Sequence, residues 1–163
     1  MLKLTKRADY GMMAMRYLAE HPHGGPYSAR DIAESSKIPL PVLAKTLQTL
    51  ARAELVASLQ GATGGYFLSR AADRISAFEI ISAFDGPPVI TNCVSEGHSC
   101  DMISRCSVKE PLQQVNERIR ELLCSITVAD LASRRGPAPD SEVLVTISGT
   151  ELAADLKCPH SNV

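Results

Sequence analysis

The chain of 163 residues has no tryptophan, and aromatic residues make up only 4% of it, so any core it forms is aliphatic. It has no run of about 18 apolar residues, so no membrane-spanning helix is expected. Its opening residues, MLKLTKRADYG, are charged and lack the apolar stretch of a secretory signal. The expected location is therefore cytoplasmic, where thiols stay reduced. A P-loop, a dinucleotide fingerprint and a nucleophile–base pairing are all missing, so neither an enzyme nor a small-molecule substrate is expected. Repeats and low-complexity tracts are also missing. Net charge is nearly absent at −1, which taken alone argues against a nucleic-acid partner. Its distribution argues the other way. Residues 1–76 hold ten Lys and Arg against six Asp and Glu, or +4, whereas residues 77–163 hold seven against twelve, or −5.

Hydrophobic residues form 45% of the chain and charged residues 21%, enough for one ordinary globular unit with an arm or tail. Thr5 can cap a helix running to about Glu20, with Tyr10, Met13, Ala14, Tyr17 and Leu18 on one apolar face. The stretch HPHGGP ends it. Ser28 with Asp31 makes a capping box for a short helix that buries Ala29, Ile32 and Ala33. SKIPLP is then a turn, and Pro41 suits the first position of the next helix. Leu43, Leu47 and Leu50 form the buried stripe of that second helix. Pro41, Val42, Lys45, Gln48, Thr49 and Arg52 fall outside the stripe and are free to face outward.

Two short helices around a tight turn fit a helix-turn-helix, although on this stretch alone any helical hairpin fits as well. The next residues decide between them. LVASLQGATGGYFLSR predicts strand, glycine turn, strand, with Gly61, Gly64 and Gly65 supplying positive φ. A hairpin directly after a helix-turn-helix is a wing. The expected DNA contacts are then Ser28 at the start of the motif, the outward residues of the second helix, and Gln60, Gly61 and Thr63 at the wing tip.

A further helix follows over residues 75–88, capped by Ser76 and Glu79, with Phe78, Ile81 and Phe84 on its apolar side. The longest helical pattern spans residues 108–126. Leu112, Val115, Ile119, Leu122 and Ile126 step by 3, 4, 3, 4, a short seam that suits a partner helix and hence a homodimer on palindromic double-stranded DNA. Packing of this helix on its own domain is the alternative. A capped turn or two comes next, and residues 136–163 are expected to be a mobile tail.

Between these helices lie three of the chain's five cysteines, Cys93, Cys100 and Cys106, spaced C-x6-C-x5-C. A structural zinc site usually shows a tight C-x2-C or C-x4-C pair, and none is present. Wider spacing lets three thiolates converge on a larger object such as an iron–sulfur cluster. Zinc and redox thiols stay open as alternatives. For a fourth ligand the nearby candidates are His98, Asp101, Glu96 and Glu110. Cys124 is expected to pack its helix and Cys158 to be a tail thiol.

The fold class is thus mainly α: a winged helix-turn-helix domain over residues 1–86, a cysteine loop over 87–107 and a dimerisation helix over 108–135. This order, with LTKRADYGMMAMRYLA, IPLPVLAKTLQTLARAELV, GATGGYFL, ISAFEIISAFDGP and the cysteine spacing, resembles the Rrf2-type winged-helix transcription regulators over about residues 1–133. That family includes iron–sulfur assembly regulators and their nitric-oxide- and redox-sensing relatives, and the likeness runs to the branch regulating SUF assembly genes. The resemblance implies a homodimer with one cluster, [2Fe–2S] or [4Fe–4S], per subunit on Cys93, Cys100 and Cys106, and a repressor is the expected mode of action. One branch adds a histidine three residues after the last cysteine, where this chain has Lys109. Another uses an early aspartate of the partner subunit, and the matching position here is Asp9. Asp9 is therefore the preferred fourth ligand and His98 the second choice. Rival expectations are a nitric-oxide or redox sensor of the same family, a zinc-stabilised DNA-binding protein, and a cluster-carrying redox protein without DNA binding.

Overall fold

The computed structural model describes residues 4–22, 25–61, 63–90 and 105–133. Six α-helices, one short 3-10 helix (Ala72–Arg74) and one hairpin occupy them: α1 (Lys6–Glu20), α2 (Ala29–Ser36), α3 (Leu40–Arg52), β1 (Val56–Leu59), β2 (Gly65–Leu68), α4 (Ala77–Asp85), α5 (Lys109–Ser125) and α6 (Val128–Ala132). The expected mobile tail, residues 136–163, lies outside the described residues.

Capping chemistry sets most of the helix starts. The Thr5 hydroxyl accepts from the Ala8 amide at α1. Reciprocal capping boxes open α2 at Ser28 and Asp31, α4 at Ser76 and Glu79, and α6 at Thr127 and Asp130. Lys37 ends α2 in the left-handed region, and the following Ile38 amide donates to the Ala33 carbonyl, which makes the tight turn of the helix-turn-helix. α3 begins at Leu40 with Pro39 as its cap, so Pro41 occupies the second helical position and not the expected first one. No backbone amide is lost to the helix at either position.

Leu43, Leu47 and Leu50 are fully buried and form the core together with Met15, Ile32, Leu55, Ile75, Ile80 and Val128. Truncating one of these leucines to alanine would cost about 2–5 kcal/mol. α1 buries Ala8, Gly11, Ala14, Met15 and Leu18, a face rotated from the expected one, and Met13 stays exposed. The small residues explain the rotation. Gly11 lies so close to Phe84 of α4 that an added Cβ would stand 2.3 Å from the ring. The larger Tyr10 and Tyr17 sit at the edge of the core. Ala29 of α2 is likewise only partly buried.

The hairpin is antiparallel, with Val56 opposite Leu68 and Leu59 opposite Gly65. Of its three expected positive-φ glycines only Gly61 has one, at φ 127°. The other two are needed for close approach. A Cβ on Gly64 would meet the Leu59 carbonyl oxygen at 2.2 Å, and one on Gly65 would meet that of Tyr27 at 2.4 Å. Tyr27 and Tyr66 exchange backbone hydrogen bonds, which fastens the hairpin to the segment before α2. After α5 the chain returns to the core. The Val128 amide donates to Ile75 and the Ala77 amide to Ile126, so α4 and α6 start side by side and Val128 is wholly buried.

Candidate DNA-binding face and cysteine loop

The leucine row that buries α3 turns the opposite side of that helix to solvent. Pro41, Val42, Lys45, Gln48 and Arg52 are exposed and Thr49 is half-buried, as the periodicity predicts. Thr49 donates its hydroxyl to the Lys45 carbonyl, a bond that leaves the lysine ammonium unengaged. These side chains line a cavity of about 480 Å³, to which Arg7 of α1 and Phe84 of α4 also contribute. None of the ion pairs among the described residues involves Arg7, Lys45 or Arg52. Three uncompensated cations around one concavity make a positive surface for an anion.

At the wing, Gln60, Gly61 and Thr63 are exposed, and the turn is closed by the Gly64 amide donating to the Gly61 carbonyl at 3.0 Å. Ser28 is differently placed from the other candidates. Its hydroxyl donates to the Asp31 carboxylate at 2.7 Å and accepts from the Asp31 amide at 3.2 Å, so it is committed to capping α2.

Of the candidate cluster ligands, Cys93, Cys100 and His98 lie outside the described residues. Cys106 is a free, half-buried thiol two residues before the cap of α5. On the other side of the loop, the Ile90 amide donates to the Asn116 side chain of α5 at 3.2 Å. One edge of the cysteine segment is thus tied to α5, and the other leads directly into it. Asp9 is exposed on the first turn of α1. Among the described residues no three His, Cys, Asp or Glu side chains converge as a metal site. Cys124 is buried against Phe78, as expected for a packing residue, and it is also disulfide-bonded, which its isolated position in the sequence did not indicate.

α5 buries little besides Cys124. Val108, Val115 and Leu122 are 54%, 48% and 58% exposed, and Leu112, Ile119 and Ile126 are half-buried beside them. Together they form one continuous apolar seam.

A helix-turn-helix with a cationic outer face and a wing, followed by a long apolar-faced helix, fits a DNA-binding protein. Residues 4–134 match the Rrf2 family, described as iron-dependent transcriptional regulators. The chain belongs to the Rrf2 family. It is 32% identical over 162 residues to the HTH-type transcriptional regulator IscR of Erwinia tasmaniensis, covering 99% of this chain and 94% of that protein. Among solved structures it resembles T. potens IscR, with a TM-score of 0.62 and 33% identity over 80% of this chain and 85% of that one. It also resembles CymR, the global cysteine regulator of B. subtilis, with a TM-score of 0.65 and 33% identity over 82% and 98% of the two chains. It is a DNA-binding transcriptional regulator of this family, not an enzyme, and the winged helical fold is the family's. Among the described residues no helix is long and apolar enough to cross a membrane.

For this Rrf2 member, reasoning from the sequence located the outer face of α3 but missed Arg7 and Phe84, which share its cavity. Arg7 precedes the helix-turn-helix by some twenty residues. The available signal was the cationic cluster Lys3, Lys6 and Arg7, although charge alone does not say which surface it joins.

Proposed function

We propose that this regulator is an iron–sulfur-cluster-dependent repressor, a homodimer on palindromic DNA, acting on SUF iron–sulfur assembly genes. Cys93, Cys100 and Cys106 hold one cluster per subunit, and the fourth ligand is Asp9 of the partner subunit or His98 of the same loop. The observation that carries this reading is the free, half-buried Cys106 thiol at the head of α5, in a segment whose far edge is tied to the same helix. The iron-dependent description of the family and the likeness to IscR proteins support it. Soft thiolates at this spacing fit a cluster, and no paired C-x2-C knuckle is present to favour zinc.

The bound group supplies a centre whose state reports iron and oxidant supply. The chain's own residues do the rest. Asn116 of α5 holds the Ile90 amide, and Cys106 lies two residues before the cap of the same helix, so ligation at Cys106 would bear on the helix that carries the proposed dimer seam. The seam of Leu112, Val115, Ile119, Leu122 and Ile126 takes a second copy of the chain and sets the separation of the two α3 helices. Lys45, Gln48, Thr49 and Arg52 then meet half-sites about one DNA turn apart, while the wing tip lies along the backbone. Coupling of roughly 1–3 kcal/mol between loop and DNA face would change affinity about 5–150-fold.

The test is an absorption spectrum of anaerobically purified, reduced protein, with iron, sulfide and zinc assayed on the same sample and duplex binding measured alongside. Visible absorbance with matched iron and sulfide is expected, and it should be lost in Cys106→Ala together with any cluster-dependent change in DNA affinity. A colourless protein with stoichiometric zinc overturns the cluster reading and leaves a zinc-stabilised regulator in its place.

A further inference from the structure

The cavity on the DNA face is not made by the helix-turn-helix alone, since Arg7 reaches it from the first turn of α1. Two contacts hold that turn in place. The Thr5 hydroxyl donates to the Asp85 carboxylate at 2.9 Å, and Gly11 lets Phe84 pack against the helix one turn further on. Asp9, two residues along, does not line the cavity, consistent with helix geometry, in which i and i+2 point apart. Arg7 is exposed and in no ion pair among the described residues. A guanidinium left uncompensated at the foot of α3, beside Lys45 and Arg52, has the fork geometry that a phosphodiester oxygen pair accepts.

We infer that Arg7 is a DNA-contacting residue: it binds a backbone phosphate next to the major groove entered by α3, extending the protein's footprint beyond the helix-turn-helix and the wing. The inference rests on α3 being the element that faces DNA. A phosphate contact carries no base information, so its loss should weaken all sequences alike. It should also remove counterion release, which lowers the slope of log affinity on log salt by about 0.9 for each phosphate lost. A homodimer engages two copies, so the slope should fall by roughly 1.8.

The experiment is fluorescence anisotropy of the full-length protein on a random-sequence 30-base-pair duplex, titrated from about 50 to 300 mM KCl, the range in which phosphate contacts dominate affinity. Wild type is compared with Arg7→Ala, Arg7→Lys, Lys45→Ala and Arg16→Ala. Arg16 is on the same helix but is paired with Glu20, away from the cavity. The expected result is a shallower slope and weaker binding for Arg7→Ala, a wild-type slope for Arg7→Lys because the point charge is kept, and no change for Arg16→Ala. Lys45→Ala reports separately on α3. If it lowers the slope while Arg7→Ala keeps the wild-type slope, the Arg7 contact is wrong and the α3 face stands. If both match wild type, the α3 face falls as well. Equal loss in Arg16→Ala would mean a diffuse charge effect and would also overturn the contact. Arg7 is exposed, and Arg7→Gln, which keeps most of the side chain's length and removes its charge, repeats the test should the alanine variant melt early.

Discussion

The outer faces of α3 and α5 are both open to solvent, yet they are built for different partners. α3 shows Lys45, Gln48 and Arg52 above a row of leucines that is already fully buried. Its hydrophobic demand is met within the chain, and its polar face can stay in water indefinitely. α5 shows Val108, Val115 and Leu122, and its inner side packs mainly through Leu123 and Cys124 on Phe78. A long helix with more apolar surface outside than inside is stable only when something covers it, since propensity alone holds such a helix marginally. The contrast divides the labour. α3 presents a charged face and α5 an apolar one, and in the proposed dimer covering the second would position the first.

Breaking the α5 side should have the largest effect. In the proposed dimer, Val115→Asp places two carboxylates in the apolar seam of α5. Light scattering should then report a monomer, and DNA affinity should fall by about 10²–10⁴-fold as bivalent engagement is lost. A dimer of unchanged stability would refute the seam. Sharpening the α3 side should have a smaller, more specific effect. Gln48 presents a side-chain amide able to bond an adenine edge, and Gln48→Ala should relax base preference at one position of each half-site by about 1–3 kcal/mol. Selection from a randomised duplex pool would show this, and an unaltered consensus would remove Gln48 from the base contacts. Gly11→Ala probes the ground between the two faces. The new Cβ displaces the Phe84 ring, and overpacking of this kind costs about 1–3 kcal/mol. A matching loss should appear in urea melts of the whole chain.

How much of this is legible in the sequence follows from the range of each interaction. The three capping boxes and the leucine row of α3 are rules over three or four residues, so Ser28, Ser76 and Thr127 mark their helices without any tertiary knowledge. The same is true of the outward set on α3. Gly64 and Gly65 show where such rules fail. A glycine beside a turn reads as positive φ, whereas these two answer to carbonyl oxygens of Leu59 and Tyr27, and the Tyr27 contact comes from nearly forty residues away. The buried face of α1 departs from the one its periodicity predicts for a related reason. Glycine looks like a weak core former until Phe84, more than seventy residues on, is seen to require the small size of Gly11. The return of α6 into the core at Val128 is equally long-range. At the cysteine segment the spacing supplied a donor set, and the structure adds the state of Cys106 and the anchoring of Ile90.

The smallest effect is expected at the link between the two faces, and its salt dependence makes it informative. Asp85 ends α4, immediately before the glycine that leads toward the cysteine segment, and both its oxygens lie 2.9 Å from the Thr5 hydroxyl at the start of α1. A carboxylate beside a helix N-terminus also meets the positive end of the helix dipole, worth about 0.3–1 kcal/mol at exposed sites. Asp85→Asn keeps a carbonyl oxygen to accept from Thr5 and removes only the charge, whereas Asp85→Ala removes both. At low salt both variants should melt earlier than wild type, the alanine variant by more. At about 1 M salt, where the Debye length is only about 3 Å, the asparagine variant should return to the wild-type midpoint and the alanine variant should not. Full recovery of both would mean that the Thr5 hydrogen bond contributes nothing and that charge alone holds α1 to α4. Recovery of neither would place the whole effect in the hydrogen bond. The expected split, with charge screened and hydrogen bond retained, would make Asp85 the point at which a change at the end of α4 reaches the helix carrying Arg7.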